Sequence, residues 1–166
     1  MTFTKRFALI GLALATIAPG AVSADNDQQI YKATVPSSLD IEAPSAEVEL
    51  PLDDTGTETV FPVQTWTVTG NPANGLKVTF SAPRFLNGTQ RADCKLALAN
   101  PAGLTTFTIP AASSTSTLTT DATLEATATG PVNAAGIELA VTMINPVAAV
   151  AGTYLTTVTG TVAANP

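Results

Sequence analysis

The run Gly152-Thr153-Tyr154-Leu155-Thr156-Thr157-Val158-Thr159-Gly160-Thr161-Val162 limits the fold more than any other stretch. Tyr154, Val158 and Val162 share one parity, with Thr156 and Gly160 between them, and the opposite parity is threonine apart from Leu155. A period of two in β-branched and aromatic residues predicts a strand with one dry face and one wet face. A dry face needs a second sheet to cover it, so the fold class is all-β, a sandwich or a barrel.

The rest of the chain repeats this pattern in short pieces. Ile30 to Val35 predicts a detachable first strand, with Tyr31, Ala33 and Val35 on one side. Val48, Leu50 and Leu52 predict an edge strand whose outer positions hold Glu47, Glu49 and Pro51. Phe61 and Val63 lie on one parity but Trp66 and Val68 on the other, which predicts a bulge or bend near Gln64 and Thr65. The turn Gly70-Asn71-Pro72-Ala73-Asn74-Gly75 then predicts a hairpin between the Trp66 strand and one carrying Leu76, Val78 and Phe80. Pro83 to Asp93 reads as a loop, Cys94 to Leu98 and Thr105 to Ile109 as strands, and Ala111 to Thr120 as a Ser/Thr-rich loop. Ala122 to Ala128 is a weaker strand, and Ile137, Leu139, Val141 and Met143 mark a clear one. About eight or nine strands with turns at short intervals predict an immunoglobulin-like β-sandwich, with a jelly roll as the second architecture.

The first residues have another purpose. Lys5 and Arg6, the apolar run Phe7 to Ile17 and the small-residue site Val22-Ser23-Ala24 predict a cleaved export signal at residues 1–24, too short to span a bilayer. Residues 25–36 then form an N-terminal extension and residues 37–166 the β-sandwich domain. The expected location is outside the cytoplasm, with no membrane insertion after the signal is removed. The net charge of −6 becomes more negative once Lys5 and Arg6 leave, which opposes nucleic acid and anionic membranes as partners.

Chemistry is sparse. With no His and one Cys, transition-metal sets and thiol–imidazole pairs lack their ligands, and the acids sit on alternating strand faces and turns, so no enzyme and no cofactor is expected. Cys94 shares a parity with Leu96 and Leu98 and reads as a small buried hydrophobe. Asp53, Asp54 and Glu58 around Gly56 are too few oxygens for a calcium loop, Asn87-Gly88-Thr89 reads as a turn rather than a glycosylation site, and Trp66 reads as core rather than a sugar platform. Charge is segregated: Asp40, Glu42, Glu47, Glu49, Asp53, Asp54 and Glu58 precede Lys77, Arg84, Arg91 and Lys95, with Asp93 the one acid among the latter. Such a layout could register head-to-tail association, although exposed strand faces also need charge.

Two segments carry a resemblance. Tyr31-Lys32-Ala33-Thr34-Val35-Pro36 resembles the N-terminal donor segment of alpha-class, colonisation-factor-type fimbrial subunits. Ala151-Gly152-Thr153-Tyr154, followed by Val158 and Val162, resembles their Ala-Gly-x-Tyr final strand, an ending shared with spore-coat-U-like exported sandwiches. The resemblance implies a sandwich short of one strand, a periplasmic chaperone that fills the groove first, and self-association by strand donation from the next subunit. Tyr31, Ala33 and Val35 would then be inserted, and Tyr154, Val158 and Val162 would border the groove. The alternative is a self-contained secreted module that binds carbohydrate or a cell-wall component; a coat or matrix protein is the third reading.

Overall fold

Alternating residues become ten strands in the structure, a computed structural model that describes residues 29–51, 57–145 and 150–166. The expected signal peptide and the Asp53-Asp54 turn lie outside the described residues. The strands are β1 (Leu39–Glu42), β2 (Glu58–Val60), β3 (Gln64–Gly70), β4 (Leu76–Ala82), β5 (Phe85–Asn87), β6 (Gln90–Leu98), β7 (Ser113–Thr115), β8 (Ala122–Ala128), β9 (Val132–Ile144) and β10 (Thr159–Ala164). All their pairings are antiparallel. One sheet has the order β1-β3-β9-β6-β5, with β2 added to β9 and β7 to β6; the other has three strands, β10-β4-β8.

One parity of each central strand enters a single core. Trp66 and Val68 on β3, Leu96 and Leu98 on β6, and Ile137 and Leu139 on β9 meet Leu76, Val78 and Phe80 on β4 and Leu124 on β8. Each such side chain contributes roughly 1.5–3 kcal/mol when fully buried, which is what favours two sheets over separate hairpins. Residues 35–166 form one compact unit.

Several expectations change in the structure. The turn at residues 70–75 is present, but β4 does not pair with β3; it crosses to the other sheet. Trp66 and Phe80 explain why, since both are inward and meet edge-to-face across the core at 5.3 Å and 71°. Two inward faces can oppose one another only from different sheets. The bend expected near Gln64 lies slightly earlier. Val60 pairs with Thr142 and Gln64 with Leu139, so the run through Pro62 carries one extra residue against β9. That bulge turns Phe61 inward while leaving Val63 47% exposed.

Residues 83–93 are not a plain loop, because the Asn87-Gly88 turn closes the β5–β6 hairpin, with Asn87 opposite Gln90. Within the Ser/Thr-rich run, β7 pairs with β6, and buried Ser116 exchanges two bonds with Cys94. The Cys94 amide donates to Ser116 Oγ and the Ser116 amide to Cys94 O, both at 2.7 Å. Residues 105–109 hold only one isolated bridge, Thr108 to Thr127. Of the edge strand expected over residues 47–52, residues 47–51 are in no strand and Leu52 lies outside the described residues; residues 30–35 are in no strand either.

Candidate functional site

The final run is half of what its parity promises. Its regular strand is Thr159–Ala164 rather than the whole of residues 152–162. Upstream, Leu155 exchanges backbone bonds with Leu86 at 2.9 and 3.0 Å, Thr156 Oγ1 donates to Pro83 O at 2.9 Å, and the Val150 amide donates to Tyr154 Oη at 3.2 Å. The Leu155 bonds hold the run against β5, at the end of the larger sheet, and it joins the three-stranded sheet only from Thr159. Tyr154, Thr156, Val158, Gly160 and Val162 all turn inward, yet each is only half-buried. On the neighbouring strand, Leu76, Val78 and Phe80 are at most 1% exposed. The dry face of the final run is therefore incompletely covered.

The gap is a groove. A cleft of about 430 Å³ is walled by Phe61, Trp66, Phe85, Leu139, Val141, Tyr154 and Val158. A second, of about 530 Å³, continues along Phe61, Met143, Gly152, Tyr154 and Leu155. Phe61 and Phe85 stack at 5.6 Å and 8° to form its aromatic floor. Beside it, the outer edge of β10 pairs with no strand among the described residues, and β1 ends the other sheet. Such unpaired backbone is a template for an added strand.

Gly160 sets how closely β10 approaches β1. A Cβ there would lie 2.7 Å from Trp66 Cζ3 and 2.9 Å from Ile41 Cδ1. Trp66 cannot retreat because Phe80 backs it. Gly160→Val is expected to cost about 1–3 kcal/mol, the usual penalty for overpacking, in urea unfolding followed by Trp66 fluorescence.

The six residues singled out in the sequence fall into two groups. Tyr154 and Val158 line the groove, and Val162 lies on β10 opposite Val78. Tyr31 is 85% exposed, Val35 79% exposed and Ala33 exposed, none of them in a strand. The walls Phe61, Phe85, Leu139 and Val141 were legible only as core residues, since parity cannot tell a covered face from an open one. No family model, curated protein or solved structure matches this chain.

Charge along the chain is less segregated in the folded domain than the sequence layout suggests. Lys77 Nζ lies 3.1 Å from Glu125 Oε1, and Arg84 Nε 2.6 Å from Asp93 Oδ1, so half of the basic cluster is already paired. Glu47 and Glu49 line the groove, which keeps its rim acidic. Among the described residues no group of three or more His, Cys, Asp or Glu is placed to hold a metal ion.

Cys94 is fully buried, and burial pushes its thiol from 9.0 up to about 12. The native protein is expected to resist a thiol reagent at pH 8 and to react only after denaturant is added. The unfolded chain loses this proton first as pH rises above 9. Stability should therefore fall between pH 9 and about 12, by at most about 1.4 kcal/mol per pH unit from this group.

Proposed function

We propose that this chain is a non-enzymatic, exported structural subunit of a bacterial surface fibre, an immunoglobulin-like sandwich assembled head to tail by β-strand donation. The observation that carries the reading is the half-covered inward face of residues 154–162 beside the unpaired edge of β10. The strand orders β1-β3-β9-β6 and β10-β4-β8 fit an immunoglobulin-like sandwich that, among the described residues, has no strand outside β10, where such a fold places its last one. The exposed alternation of Tyr31, Ala33 and Val35 supplies a strand of suitable pattern from a second copy. Backbone hydrogen bonds along β10 would give affinity, and the alternate side chains would set register against Tyr154, Val158 and Val162.

An apolar groove left open is an aggregation site, so a periplasmic chaperone would have to cover it before assembly. Nucleic acid and membrane play no part in this reading. The test is migration of the purified mature protein on an unboiled denaturing gel, with electron microscopy of the same sample. A ladder and thin fibres are expected; a sharp monomer band and no fibres overturn the proposal. That second outcome would favour a self-contained binding module, for which the aromatic floor at Phe61 and Phe85 is the supporting observation.

A further inference from the structure

The run between β1 and β2 has the side-chain pattern of a strand and none of its pairing. Pro44, Ala46, Val48 and Leu50 alternate with Ser45, Glu47, Glu49 and Pro51. Yet residues 43–51 belong to no strand and make no hydrogen bond with any described residue. They nevertheless lie on the groove. Ala43, Pro44 and Ala46 line its first cleft, Glu49, Leu50 and Pro51 its second, and Glu47 and Val48 line both. Val48 is half-buried where the two clefts meet, facing the same space as Phe61 and Tyr154.

We infer that residues 43–51 are a removable strap: in the free subunit Val48 seats them over the aromatic floor, and they lift when a β-segment of a second copy is inserted. The inference rests on the strand-donation reading above. Its physical basis is a contrast in what holds each occupant. Among the described residues the strap is held by side-chain contact alone, and Pro44 and Pro51 have no N–H to give a ladder. Glu47 and Glu49 further oppose deep seating, because a buried unpaired carboxylate is costly. An inserted strand uses the free edge of β10 and adds a row of backbone bonds that the strap cannot make. The strap therefore shields apolar surface without closing the sheet, and exchange with a true strand is downhill.

The test compares the full mature chain with Val48→Asp, using Leu118→Asp at a site 74% exposed as the control for added charge. Trp66, the sole tryptophan, lines the first cleft together with Val48, so acrylamide quenching of the dilute, unassembled chain reports the strap directly. Val48→Asp is expected to raise quenching and to speed appearance of the ladder by roughly fivefold, about 1 kcal/mol at 1.4 kcal/mol per factor of ten. Leu118→Asp is expected to leave both unchanged. Unchanged quenching in Val48→Asp overturns the strap, and raised quenching with an unchanged or slower ladder overturns its role in exchange. Absence of a ladder from the parent chain overturns the fibre reading instead, and the quenching comparison then decides the strap by itself.

Discussion

Deleting residues 29–35 from the mature chain is expected to abolish the ladder on an unboiled gel, leaving only monomer. On the strand-donation reading, the acceptor groove and the donor segment are separate parts of one chain. Tyr154, Val158 and the aromatic floor remain in the deleted protein, but no copy then offers a strand. Point changes should grade the effect. On the same reading Val35→Asp would put a carboxylate where an apolar side chain enters the groove, an expected loss of at least about 3 kcal/mol or two factors of ten in exchange affinity. Lys32→Ser, on the opposite parity, should assemble much as the parent does. If Val35→Asp and Lys32→Ser behave alike, the register derived from parity is incorrect.

Phe80→Ala is expected to have the largest effect on stability, about 3–5 kcal/mol in urea unfolding. Phe80 is 1% exposed on the central strand of the three-stranded sheet and meets Trp66 edge-to-face at 5.3 Å. Its loss removes both a large buried area and the support that holds Trp66 between the sheets. A sheet of only three strands has little other area to offset it. For a domain of this size such a loss is a large share of the total stability. Phe80→Leu keeps most of the volume and should recover more than half of the loss. An effect below 1 kcal/mol would show that the core is not organised around this contact.

How much of this was legible in the residues follows from what parity can and cannot encode. Alternation at Trp66–Val68, Leu76–Phe80, Cys94–Leu98 and Ile137–Met143 identified strands and their inward faces, because a buried face imposes a period of two. It did not identify partners. Gly70–Gly75 carries the same turn residues whether it closes a hairpin or crosses between sheets, and only the inward facing of both Trp66 and Phe80 decides it. The Ser/Thr-rich run hid β7 and buried Ser116, since threonine and serine serve equally in loops and at sheet edges.

Residues 47–51, the described part of the expected edge strand, show the opposite failure. Their alternation is real, but a strand also needs a neighbour with free backbone, and Pro51 removes a donor from the run. Tyr154, Val158 and Val162 were expected at the border of a groove; the first two line the clefts and Val162 lines neither, while Phe61, Phe85 and residues 43–51 come beside them only when distant segments meet.

The central claim is that the outer edge of β10 is open in one copy and closed by another. Amide hydrogen exchange across Thr159–Ala164 tests it most directly. In the unassembled chain, amides bonded to β4 should be protected while those facing away from β4 exchange at rates near those of an open chain. In the assembled fibre both sets should slow by orders of magnitude. Uniform protection of both sets in the unassembled chain, unchanged on assembly, would contradict the account.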